Sequence, residues 1–138
     1  MRSPRGDEAG SILPLAIGYA VLAIALIVVC ADATALHLAQ KRLDALAASA
    51  ALAAADGFAL SVEGGAVRAR LDDARVAEQA AALLAATGDD TALVSAETPD
   101  GVSARVTVAT VWHPPIVSIV VPGGIPLEAT ATSRTGLE

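Results

Sequence analysis

From Ala9 to Ala31 the chain carries no charged residue. Within that stretch, Ile12 to Ala31 reads ILPLAIGYAVLAIALIVVCA. Twenty apolar residues at ~1.5 Å each span ~30 Å as a helix, the thickness of a bilayer core. Nothing else in the sequence constrains the fold as strongly. The run predicts a transmembrane helix over residues 11–31. Pro14 falls in its first turn, where a missing N–H costs little. Gly18 and the alanines permit close approach of a second helix.

The flanks set the expected orientation. Arg2 and Arg5 precede the run, beside Asp7 and Glu8, whose charge counts little in the positive-inside rule. Lys41 and Arg42 follow it and weaken the asymmetry. A short segment before the run and a long one after it is the usual arrangement of a signal-anchor. The expectation is a cytoplasmic N-terminus, residues 1–10, and an extracytoplasmic remainder at the cell membrane. Ala31-Asp32-Ala33 also has the small-x-small form of a signal-peptidase site. Release after Ala33 is therefore an alternative, although the apolar run exceeds an ordinary signal-peptide core.

Beyond the run, residues 32–57 read as a continuation of the same helix. They contain strong helix formers and no glycine or proline before Gly57. Leu36, Ala39, Leu43, Leu46, Ala50 and Ala53 recur in steps of three and four, a heptad-like stripe for helix packing. One helix from Leu15 to Asp56 would be ~63 Å long, with Gly57 as its natural C-cap.

Residues 58–138 are expected to form a small α+β domain. Phe58 to Gly65 reads as a connector. A second helix is expected from Val67 to Ala86, with Val76, Ala77, Ala80, Leu83 and Leu84 on one face. Asp72 and Asp73 offer an alternative start near Leu71, because acids complement a helix N-terminus. Pro99-Asp100-Gly101 is a turn signal between two alternating stretches, Leu93 to Glu97 and Val102 to Trp112. These predict an antiparallel hairpin. Leu127 to Ser133 alternates again and predicts a last strand. The fold class is α+β: a long N-terminal helix, a second short helix and a small antiparallel sheet at the C-terminus.

Composition excludes several functions. The chain has 138 residues, 54% of them hydrophobic and 17% charged. Its 33 alanines, against single Tyr, Phe and Trp residues, leave no large aromatic core. The net charge of −6 provides no basic patch or stacking platform for nucleic acid. Cys30 is the only cysteine, so neither an intrachain disulfide nor a thiolate zinc cluster can form.

A search for chemistry finds no catalytic, cofactor or metal constellation. His37 and His113 are far apart and lack metal-ligand spacing. No G-x-S-x-G elbow frames a serine. Asp72-Asp73 and Asp89-Asp90 are adjacent pairs whose side chains diverge. Gly64-Gly65 and Gly123-Gly124 are turns rather than phosphate loops. Trp112 suits either the membrane interface or core packing.

The order of segments is distinctive: a short polar start, an apolar helix, the alanine-rich LAQKRLDALAASAALAAADG from Leu38 to Gly57, then strands. This order, and Gln40 to Ala55 most closely, resembles the TadE/TadG-like proteins of Flp (Tad) pilus assembly. RGDEAG, from Arg5 to Gly10, is similar to the opening of short actinobacterial members. Ser49 departs from the family's usual aspartate. The resemblance implies a non-enzymatic, pseudopilin- or minor-pilin-like protein with a pilin-like fold. Its partners would be the lipid bilayer and other pilin-like or Tad membrane proteins, with no small-molecule substrate. It makes Gly10 a candidate prepilin-cleavage site, although Leu15 stands where the peptidase's substrates usually carry Glu. The alternatives are a secreted binding protein released after Ala33 and a small membrane-bound envelope regulator.

Overall fold

The computed structural model describes residues 9–88 and 90–134. The expected N-terminal segment, residues 1–10, lies outside the described residues except for its last two positions.

Helix α1 runs unbroken from Ala9–Ala55, 47 residues, or ~70 Å. It starts before the apolar run, so Pro14 sits in its second turn rather than its first. Proline there removes one helical hydrogen bond near the end of the helix. The last turn closes with Asp56 N–H donating to the Leu52 carbonyl at 3.1 Å and Gly57 N–H to the Ala54 carbonyl at 3.2 Å. Gly57 ends the helix without a left-handed backbone. Its need is space: a Cβ there would lie 3.0 Å from Gln79 Cγ and 3.3 Å from the Ala54 carbonyl.

The expected connector and the start of the second helix are corrected by the structure. Strands β1 (Ala59–Glu63) and β2 (Ala66–Arg70) form a two-stranded antiparallel hairpin. Gly64 and Gly65 join them with φ of 62° and 82°. Two successive positive φ values make the tight turn that matches strand twist, and glycine supplies them without strain. The chain therefore reverses where a helix was expected from Val67. Helix α2 is Asp73–Thr87, led by Asp72 in extended conformation and ended by Gly88 at φ 70°. It buries Val76, Ala80 and Leu84 along one face.

A three-stranded antiparallel sheet follows, in the order β3 (Ala92–Glu97), β4 (Ser103–Trp112), β5 (Ile125–Arg134). Central β4 buries Ala104, Val106 and Val108 on the face toward the helices. Leu127 and Ala129 of β5 join them. On the other face Thr107 and Thr130 share a hydrogen bond of 2.9 Å between hydroxyls. The core is the seam where the second half of α1 meets α2 and this sheet.

Asp100 locks the β3–β4 turn. One of its carboxylate oxygens accepts from Val102 N–H at 3.1 Å and Ser103 N–H at 2.6 Å, and the other from the Ser103 hydroxyl at 2.9 Å. Gly101 takes the left-handed position, φ 75°, and its carbonyl accepts from Leu71 N–H at 2.8 Å. The Val102 amide first, then the Ser103 hydroxyl, hold the Asp100 carboxyl below its ordinary pKa. A carboxyl depressed by folding stabilises the fold above the ordinary carboxylate range and loses that contribution as pH falls through the depressed value. Asp100→Ala is expected to lower the melting temperature at neutral pH. The gap from the parent chain should close in strong acid, measured by thermal melts across pH.

Candidate functional site

Two surfaces of α1 differ in kind. Over residues 12–27 every side chain is exposed around the full circumference, Leu15, Tyr19, Leu22, Ile24 and Ile27 among them. A helix that is apolar all round belongs in an apolar medium. Helix α1, from Ile12 on, is long and apolar enough to cross a membrane by length and composition. Gly18 has open space around it, with nothing within 4 Å of a Cβ built there. Cys30 is a free thiol exposed on the same half.

From Asp32 onward one face of α1 is covered by the rest of the chain. Of the six stripe positions, Leu43 and Ala50 are buried at 4% and 0% exposure. Leu36, Ala39 and Leu46 pack at the edge of the same cluster, and Ala53 is half-buried. The structure brings the first five together with the chain's own α2 and sheet and leaves Ala53 outside that cluster.

The covered face is wider than the stripe. Ala47, Ala51, Ala54 and Ala55 are buried at 0–1% exposure and were not singled out from the sequence. Their signal was the unbroken alanine run itself. Where every position is small, spacing marks the larger residues and hides the rest of the face. Gln40 ties the two layers: its amide donates to the Glu128 carbonyl of β5 and to the Asp44 carboxylate, both at 3.1 Å. The exposed Lys41–Asp44 pair at 3.8 Å adds little.

Asp32 also went unremarked as a packing position. It lies four residues before Leu36 on the same face and is 9% exposed. Neither carboxylate oxygen has a hydrogen-bond partner among the described residues. Asp32 is thus the first buried side chain of α1 among the described residues, one residue after the uncharged run ends.

The chemistry-bearing residues are not gathered. His37 and His113 are both exposed. A shallow groove of about 450 Å³ lies between α1 and the end of β4, lined by Leu38, Arg42, Leu46, Asp90, Trp112 and His113 among others. Trp112 is half-buried against the core. No group of three or more His, Cys, Asp or Glu side chains converges among the described residues.

The likeness to known proteins is confined to α1 and its last turn. Residues 10–57 match the family described as "Putative Flp pilus-assembly TadE/G-like". The matched segment starts at Gly10, in the first turn of α1, and ends at Gly57, just past its last turn. It therefore covers the bare half and the packed half together and leaves out the sheet. The sequence resemblance through Gln40 to Ala55 lies wholly within this TadE/G-like segment. Neither the curated proteins nor the solved structures include a match to the chain.

The packing of the second half of α1 on the head is open to test. Leu46→Lys is expected to destabilise the head by ~1–3 kcal/mol, softened because a lysine at the edge can reach water. Ala45→Lys, on the exposed side, should stay within ~0.5 kcal/mol of the parent. Leu43→Ala should cost ~2–5 kcal/mol. Thermal melts and protease resistance of the full chain in detergent measure all three. Equal tolerance of lysine at positions 45 and 46 would contradict the packing.

Proposed function

We propose that this chain is a membrane-anchored, non-enzymatic component of a Flp/Tad-type pilus-assembly or related secretion apparatus, acting by helix packing. One observation carries the reading. The family match covers residues 10–57, the same helix that is bare and apolar in its first half and carries a packed head on its second.

The division into parts follows from that. Residues 1–10 lie in the cytoplasm, 11–31 cross the membrane, 32–57 continue the helix outside, and 58–138 form the extracytoplasmic head. Partners are the bilayer and other pilin-like or Tad membrane proteins. Their helices would pack on the bare half of α1, where Gly18 and the neighbouring alanines allow backbones to approach. The stripe from Leu36 to Ala53 supports such contacts indirectly, by fixing the head to the helix. Gly10 is a candidate for prepilin-type cleavage that Leu15, in place of the usual Glu, disfavours.

The anchored reading is favoured over release after Ala33. That cut would fall inside an unbroken helix and would remove the buried Asp32. The intact mass of the mature chain separates the cases. A full-length or Gly10-cleaved chain supports the anchor, and a chain starting at Thr34 overturns it.

Two outcomes are expected in cells. The protein should stay in the membrane pellet through high-salt and carbonate washes, because burial of the apolar run outweighs surface electrostatics. A reporter active only outside the cytoplasm, fused after Glu138, should be active. Activity of only the cytoplasmic reporter would invert the topology. Co-purification of Tad membrane components with the parent chain, lost on Gly18→Leu while the head stays protease-resistant, would support packing through the bare half.

A further inference from the structure

Residues 113–124, HPPIVSIVVPGG, link β4 to β5 without a Lys, Arg, Asp or Glu. Val120 and Val121 N–H groups both donate to the Val117 carbonyl, at 2.9 and 3.1 Å, so the segment coils through one helical turn. That turn sets Ile116, Ile119 and Val120 at i, i+3 and i+4, on one side. They are 50%, 91% and 77% exposed. Three branched apolar side chains thus point outward from an uncharged loop.

The loop's place along α1 gives this meaning. Gln40 lies beside Glu128 of β5. Ala35 and Leu38 border one groove with Trp112, His113 and Pro115. At the opposite end of the sheet, the Asp100 turn lies by Leu71 at the start of α2. The β4–β5 loop is therefore the part of the head nearest the apolar half of α1. Going back from Gln40 to Val28 covers about 18 Å of helix, while going back from Glu128 to Ile125 covers only about 10 Å of strand. Val28 is nonetheless half-buried, the first residue of the apolar run to be covered. The element beyond Ile125 in that direction is the loop.

We propose that residues 116–120 insert into the interfacial layer of the bilayer beside α1, giving the head a second membrane contact. This rests on α1 crossing the membrane. The occupant is lipid because the loop lies toward the apolar run, carries no Lys, Arg, Asp or Glu, and over residues 116–120 exposes only branched aliphatic side chains and Ser118. The base of the loop is closely packed. Gly124 has φ 69°, and a Cβ there would lie 2.5 Å from Val111 Cγ1 and 2.9 Å from the Trp112 carbonyl.

The test uses the full chain in phosphatidylcholine–phosphatidylglycerol vesicles, in a Cys30→Ala background. Single cysteines replace Ile119, Leu22 or Val62, and each carries a polarity-sensitive fluorophore. All three side chains are exposed, so the replacements spare the core. Nitroxide lipids quench at either a shallow or a deep position. The expected result is quenching at 119 by the shallow nitroxide, roughly twofold or more, with a blue-shifted emission. Position 22 should respond to the deep nitroxide and position 62, on the β1–β2 hairpin, to neither. Quenching at 22 without quenching at 119 overturns the loop insertion and leaves the anchor standing. Absence of quenching at 22 overturns the anchor itself, and the insertion with it. A label at 119 that escapes lipid quenching but cross-links to a second copy assigns the loop to a protein contact and overturns the proposal.

Discussion

The fold depends on the close approach of α1 to α2 and the sheet, and alanine makes that approach available. Ala47, Ala50, Ala51, Ala54 and Ala55 are each at most 1% exposed, with Val76 and Ala80 of α2 and Val106 and Val108 of β4 in the same cluster. Small side chains bring backbones together but remove little apolar area per residue from water, at ~25 cal/mol per Å². Such a core gains stability by extension along the helix. This is why contacts are distributed from Leu36 to Ala55, and why the larger Leu43 stands near the middle. Gly57 follows the same logic, since its missing Cβ admits Gln79 of α2.

The same helix faces two surroundings without a break. Its first half is apolar on every side and its second is covered on one face only. The change occurs within a turn, between half-buried Val28 and buried Asp32. No glycine or proline interrupts residues 32–56, so no joint separates the halves. An unbroken helix transmits rotation and tilt, so any orientation of the apolar half is also imposed on the head.

Much of this was legible in the sequence, and the failures have specific causes. The long helix was readable because lack of charge and helix propensity are local properties. The β3–β4 hairpin was readable because Asp100-Gly101 supplies the turn and Ala104, Val106 and Val108 alternate. The β1–β2 hairpin was missed because Val67 and Ala69 fit helical as well as strand spacing over so short a stretch. The deciding signal was Gly64-Gly65, a two-residue turn whose positive φ values reverse the chain. Five of the six stripe positions meet the core cluster and Ala53 does not, and the period did not reveal what covers them. Only the fold shows that α2 and the sheet lie against it. Asp32 was hidden for the converse reason: a lone acid after an apolar run reads as a boundary marker, while its burial depends on residues distant in sequence.

The covered face also limits what the chain can offer a neighbour. With Leu43, Ala47, Ala50 and Ala54 occupied by the head, a second helix cannot take the stripe without displacing the sheet. What remains on the packed half is an outer face of Lys41, Arg42, Ala45, Ala48, Ser49 and Leu52, all exposed. Its only charges are the basic Lys41 and Arg42, its other side chains are mostly small, and Leu52 is its largest apolar residue. That face carries too little apolar area to drive tight association in water. The bare half is different, because between helices in lipid the close fit of small residues governs association. The division of α1 therefore separates two surfaces of one helix: the alanine-rich half holds the chain's own head, and the apolar half keeps its surface free, which is where the proposed function places contacts with other helices.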